Sequence, residues 1–327
     1  MKSTKKKMYG RSVRKSTKEV CTFCRGTGQA GPPEAPLEVT ADHRKAWQEV
    51  LAEVQARSKE LQEARTGYWD IWYRGHTRAS QRLLPSLFRK YPDPNESDVW
   101  SHIWGQEQDL YWEFSSRARE LHGVLEQDWD ILFAMQHYGV PTRLLDWTET
   151  LAVGVYFALH RFSPSPGVPN PIDSKDPACL WLLNPYELNA WTVGNGKRRD
   201  LFDPKNLGWD EEHREYWSYS DLLLDGGMDW KHPISLYPRQ RTNRMQVQRG
   251  WFTIHGDEFV PLESLPHQEK FLRRVDIPAQ AEPAAREYLQ LAGIELFTMF
   301  PDLPNLAAHL SNRYSDARDW FLTEGTE

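Results

Sequence analysis

The stretch QHYGVPTRLLDWTETLAVGVYFALHRF, Gln136 to Phe162, sets glycine, proline, arginine, aspartate and histidine beside an almost unbroken apolar run. Its second half decides the architecture. Leu151, Ala152, Val153, Val155, Tyr156, Phe157, Ala158 and Leu159 leave no polar face on a helix, and such a helix belongs in the centre of a fold. The preceding helix begins at Asp128 and carries Trp129, Ile131, Leu132, Phe133 and Met135. It stops at Gly139, a good C′ residue, with Pro141 two places on. A short extended piece over 142–145 links the two. Asp146-Trp-Thr-Glu149 has capping-box spacing, with Asp146 at the N-cap and Thr148 as a competing cap. The buried helix would then present its N-terminus, a natural seat for an anion, to whatever occupies the wall formed by His137 to Thr148.

Outward from this block, the periodicity alternates between helix and strand. A helix is predicted over 41–64, where Ala46, Trp47, Val50, Leu51, Val54 and Leu61 recur at three- and four-residue steps. In GYWDIWYRGH, Trp69, Ile71 and Tyr73 alternate with Asp70, Trp72 and Arg74, a short strand closed by Gly75. Aromatic, charged helices follow over about 96–124. CLWLLNP reads as a strand. MQVQRGWFTIHG reads as another, with Gly250 at a bulge, and 284–310 as two helices. The fold class is α+β: a small mixed sheet around a buried central helix, with helical flanks. The domain organisation expected is a basic tail with a knuckle and linker (1–36), a helical segment (37–67), a main domain (68–310) and a tail (311–327).

The chain has 327 residues, 39% hydrophobic and 26% charged, with mean hydropathy −0.70 and a formal net charge of −6. These values describe a polar-surfaced globular protein with no global field drawing it to nucleic acid or anionic lipid. The first eighteen residues nonetheless carry eight Lys or Arg and no acid. They are too polar for a signal peptide, and no run of apolar residues is long enough to span a membrane, so a cytoplasmic location and no membrane partner are expected. Three cysteines argue against a disulfide framework. Cys21 and Cys24 stand in CTFCRGTG, which resembles one copy of the CxxCxGxG repeat of J-domain chaperones. Zinc requires four ligands, so the pair is a remnant, half a knuckle completed by a second chain, or part of a closed zinc site within the chain. The basic tail, this knuckle and 15 Trp could together hold RNA or DNA by charge and stacking.

Three separated motifs resemble the FRG-domain family: Tyr73-Arg74-Gly75-His76 with Leu84-Pro85-Ser86-Leu87-Phe88-Arg89, the central block Gln136 to Thr148 with Tyr156-Phe157-Ala158, and Asn243 to Phe252. A more remote resemblance is to ADP-ribosyltransferases, in the order Arg-Gly strand, GVYFA segment, late polar strand. It implies an ADP-ribosyltransferase-like core and NAD as substrate. Arg74 with Gly75 would grip the diphosphate, and Tyr156 and Phe157 would line the nicotinamide pocket. Arg143 and Asp146 would lie nearby, and Gln248 or Glu258 would address the ribose. The usual late-strand Glu is missing, since the segment reads Gln246-Val-Gln248. Each residue also has a plainer reading. Arg74 could close its strand onto a carboxylate, Arg143 could pair with Asp146, and the two Gln could bond at a strand edge. His137 could serve the helix dipole or carry a proton.

No GxxxxGK[ST] loop, GxGxxG, HExxH or GxSxG elbow is present. The resemblances imply an NAD-dependent transferase, of the toxin or phage-defence kind, acting on a protein or nucleic-acid acceptor and held in check by an antitoxin. The alternative is a non-catalytic nucleotide- or nucleic-acid-sensing module.

Overall fold

The computed structural model describes residues 38–63, 70–91, 97–122, 128–160, 172–194, 201–204, 218–225, 230–238 and 243–311. The basic tail, Cys21, Cys24, Trp69 and the segment 312–327 lie outside the described residues.

In chain order the elements are α1 (Ala41–Glu63), β1 (Trp72–His76), α2 (Ser97–His122), α3 (Asp128–His137), β2 (Leu144–Thr148), α4 (Leu151–Leu159), β3 (Ala178–Leu183), α5 (Pro185–Val193), α6 (Tyr219–Asp225), β4 (Ile234–Leu236), α7 (Asn243–Gln248), β5 (Gly250–Ile254), β6 (Leu272–Ile277), α8 (Glu282–Leu291) and α9 (Leu296–Met299), followed by a helical turn set over 303–311. The strands form one six-stranded sheet in the order β4-β5-β2-β1-β3-β6. Every neighbouring pair is antiparallel, so the sheet is not mixed. Of the strands consecutive in sequence, β1 and β2, and β4 and β5, are neighbours; β2 and β3, β3 and β4, and β5 and β6 run the same way with other strands between them and are joined by crossovers, α4 being part of the first.

The central helix is where its apolar circumference places it. In α4, Ala152 to Tyr156, Ala158 and Leu159 are buried, packed with α1, α8 and one face of β1, β3 and β6 through Val50, Leu61, Leu180, Leu182, Val275 and Ile277. Contact with β1 is unusually close. A Cβ at Gly75 would stand 2.1 Å from the Gly154 carbonyl oxygen and 2.3 Å from the Ala158 nitrogen. Gly75 therefore lies within β1, paired with Leu180, instead of ending it. Further along the same side of the sheet, α2, α3 and α6 cover β2, β4 and β5 through Trp104, Trp129, Leu132, Phe133, Leu144, Ile234 and Phe252. The opposite face is closed by α5 and the chain around 262–271, over Trp72, Trp147, Trp181 and Leu183.

Two local readings change. Asp146 is the middle of β2, opposite Phe252, and the N-cap of α4 is Thr150. Thr148 organises the entry instead: its hydroxyl accepts from the Thr150 N–H at 3.1 Å and donates to the Gln248 carbonyl at 2.7 Å. The residues 243–248 are helical, not extended. Only from Gly250, after Arg249 at φ 43°, does the chain become β5. Met245 and Val247 alone are too short an alternation to distinguish a turn and a half of helix from a strand. The Gly139 stop holds: φ is 77°, Gly139 N–H bonds Gln136 O, and Val140 N–H bonds Met135 O, a Schellman closure.

Candidate functional site: an arginine-lined cleft where two strands part

The β1–β2 pairing consists of Tyr73↔Thr148 alone, whereas β1–β3 runs through five residue pairs. Beyond Tyr73 the two central strands diverge. The opening is a cleft of about 670 Å³, bordered by β1, β2, the loop after β1, the end of α3, one side of α4, α7 and the start of β5. Residues of both strand pleats border it, as expected where neighbouring strands separate.

Arg74 stands in the gap. Its Nη1 donates to the Asp146 main-chain oxygen at 2.6 Å, replacing the ladder bond that β1 and β2 do not make, and its Nε donates to His76 Nε2 at 3.0 Å. His76 Nδ1 lies 3.2 Å from the Gln81 carbonyl. A carbonyl only accepts, so Nδ1 carries the hydrogen and Nε2 presents its lone pair to the arginine. Burial, reinforced by the Arg74 charge, pushes the His76 pKa down to about 3 and keeps the ring neutral. The Arg74 guanidinium is itself drawn down to about 10 by burial, against the pull of Asp146, and stays charged at neutral pH.

Among the described residues, three more arginines, Arg82, Arg89 and Arg244, line the cleft with His137 and His160, and Asp146 is the one carboxylate. Burial lowers the pKa of both Arg89 and Arg244. Arg89 is anchored by Nε to the Leu84 carbonyl at 2.7 Å. Arg244 donates to the His137 carbonyl at 3.2 Å and lies over the Phe300 ring at 4.5 Å. Asp146 accepts at Oδ2 from Gln136 Nε2 at 2.7 Å, with Arg74 Nη1 at 3.7 Å. Tyr73, Phe133, Trp147, Phe157 and Trp251 supply the apolar wall. Arginine forks match phosphate oxygens, and flat rings accept a base or sugar face. Chemically, such a lining has groups that can hold phosphate oxygens and groups that can cover a flat ring.

The expected site residues divide. Arg74, Gly75, His137, Asp146, Phe157 and Gln248 all border the cleft. Gln248 does so with its amide engaged, Nε2 donating to the Met299 carbonyl at 2.9 Å. Tyr156 turns into the core cluster around α4, stacked on His160 at 4.9 Å, and burial raises its phenol pKa. Glu258 lies outside the lining, 3.5 Å from His232 and 3.8 Å from Lys231. Arg143 is fully buried away from the cleft and pairs with Glu107, not with Asp146. Its Nε donates to Glu107 Oε1 at 2.7 Å, and its Nη1 to the His255 and Gly256 carbonyls at 3.1 Å each. Trp104 and Phe88 flank the guanidinium. Burial opposes the Arg143 charge, but the Glu107 carboxylate outweighs it and raises the pKa.

Sequence reasoning passed over His76, Arg89, Gln136 and Arg244. All four lie inside the three quoted motifs, so the signal was present; only their convergence was not. Cys179 is buried in β3, and no group of three or more metal-ligating side chains occurs among the described residues. No described helix is long and apolar enough to cross a membrane. Residues 69–165 match the family model of the FRG domain. No curated protein and no solved structure matches the chain.

Proposed function

From the premise that residues 69–165 are an FRG domain, we propose that the β1–β2 cleft binds a pyrophosphate-containing nucleotide and that the protein is an ADP-ribosyltransferase-like enzyme using NAD. The observation that carries the binding half is the charge of the lining, four arginines against one aspartate, in a chain whose net charge is −6. Such a local reversal of sign makes sense as an anion site. The transferase half is supported by the remote resemblance and by the modest chemistry required. The bond from ribose C1′ to nicotinamide nitrogen breaks, the nitrogen keeps the electron pair, and an acceptor oxygen or nitrogen bonds C1′ and loses its proton. The protein must hold the diphosphate, cover the ring and stabilise the oxocarbenium-like ribose. The acceptor would be a protein or nucleic acid, and an antitoxin partner belongs to the same reading.

A second reading is favoured by one observation. Glu258 lies outside the lining beside His232 and Lys231, and Gln248 spends an amide N–H on the Met299 carbonyl, so no carboxylate of the expected kind faces the ribose and the cleft could sense a nucleotide without turning it over. Titration calorimetry of the purified chain with NAD, ADP-ribose and ATP tests binding, and release of labelled nicotinamide tests turnover. Arg74→Lys, which keeps the charge but not the fork, should weaken binding about 10-fold or more. Failure of every pyrophosphate nucleotide to bind would sink the proposal. Binding without nicotinamide release under any acceptor condition would select the sensor.

A further inference from the structure

A carboxylate among arginines is unfavourable for phosphate binding, because it repels the anion that the arginines attract. Asp146 is nevertheless held with care. Its carbonyl oxygen accepts from Arg74, and its Oδ2 accepts from Gln136. Gln136 is itself fixed at its other end, where Thr142 Oγ1 donates to Oε1, while that same Thr142 oxygen accepts from the Leu144 N–H at 3.2 Å. A chain of side-chain bonds thus runs from β2 through α3 back to β2 and sets the plane of one carboxyl group.

Were Asp146 only the counter-ion of Arg74, a forked pair would be expected. Instead Nη1 stands 3.7 Å from Oδ2 and spends its hydrogen on the main chain. The Asp146 side chain is 58% exposed, it borders the cleft, and Oδ1 receives no hydrogen-bond donor from the described residues. An ionised carboxyl oxygen that faces ligand space can only accept. The complementary group is a hydrogen-bond donor, and the donors that lie next to the pyrophosphate of a nucleotide are the hydroxyls of its ribose.

We infer that Asp146 reads ribose: its open Oδ1, aimed by Gln136, accepts the O–H of a ribose hydroxyl, so the cleft takes ribonucleotides in preference to their deoxy counterparts. Asp146 thereby stands where Gln248 and Glu258 were expected to act. The inference rests on the nucleotide reading of the cleft. Hydrogen bonds to a charged acceptor separate ligands with and without the donor by about 10- to 100-fold.

The test uses the full chain in calorimetry with NAD, with NAD analogues lacking the 2′- or 3′-hydroxyl of one ribose or the other, and with inorganic pyrophosphate. The expected result is that the wild type loses about 10- to 100-fold in affinity for at least one analogue. Asp146→Asn, nearly isosteric, should abolish that discrimination while binding pyrophosphate as tightly as the wild type or tighter, because the repelling charge is gone. Gln136→Leu should shrink the discrimination and leave pyrophosphate affinity unchanged. Equal wild-type affinity for NAD and every analogue overturns the inference alone. So does an Asp146→Asn protein that loses NAD and pyrophosphate together, which marks a structural role. A wild type that binds neither NAD nor pyrophosphate overturns the nucleotide reading and this inference with it.

Discussion

Arg74 and Arg143 are both arginines in β-rich motifs, yet their surroundings give them opposite tasks. Arg74 faces a gap, donates to neutral His76 and to the Asp146 carbonyl, and borders the cleft. Arg143 is enclosed, with Glu107, two carbonyls and two aromatic rings around it. Tyr219 adds its hydroxyl to Glu107 at 2.5 Å. Removing one member of such a buried pair leaves the other charged and unpaired. Arg143→Met should therefore destabilise the fold by about 3–5 kcal/mol, measured by urea unfolding, while Arg143→Met combined with Glu107→Leu recovers much of the loss. A cleft role for Arg143 predicts the reverse, weakened ligand binding with stability intact.

At the level of elements, the decisive contact is helix α4 against strand β1. The atoms that a Gly75 Cβ would strike, the Gly154 oxygen and Ala158 nitrogen, are backbone and cannot swing away. Gly75→Ala should cost about 3 kcal/mol or more and appear as a lowered urea midpoint. A second element-level prediction concerns α5. Its N-cap, Asn184, accepts from the Tyr186 and Glu187 N–H groups at 3.1 Å each and donates to the Leu61 carbonyl of α1 at 2.9 Å. Asn184→Ala removes the cap and also orphans a buried carbonyl, so a loss of about 2 kcal/mol is expected, where an exposed cap loses about 1 kcal/mol. The spacing of apolar residues made α1 legible, and unbroken apolar runs made α4 and β3 legible because both are buried on every side. The strand read from Met245 onward begins only at Gly250, and 243–248 is helical. Six residues with two apolar members fit either period, and packing on α9 decides between them.

For the whole molecule, acid should be more damaging than mild alkali. His76 and His255 are buried and neutral, each with its pKa pushed by burial to about 3 from 6.5. The unfolded chain binds these protons first. Their contribution is therefore complete above about pH 6.5 and is lost as pH falls toward 3. Each histidine then removes roughly 1.4 kcal/mol per pH unit. The urea midpoint, followed from pH 7.5 to pH 4.5, should fall continuously once below about pH 6.5. A flat profile over that window would contradict the neutral, hydrogen-bonded assignment of His76.

The central block by itself determined that a wholly apolar helix lies at the middle of an α+β fold, that a turn at Gly139 precedes it, and that its polar prefix borders a cleft. Those conclusions need only local periodicity and turn chemistry. Which polar residues reach the cleft was decided by tertiary structure. Arg74 and Arg143 carry the same functional group, and only the divergence of β1 from β2 leaves one open to ligand while α2 brings Glu107 to enclose the other. Asp146, legible as a helix cap, became a strand residue because pairing with β5 carried the extended chain on through Thr148. Register and enclosure join residues far apart in sequence, and neither is written in the spacing of any one motif.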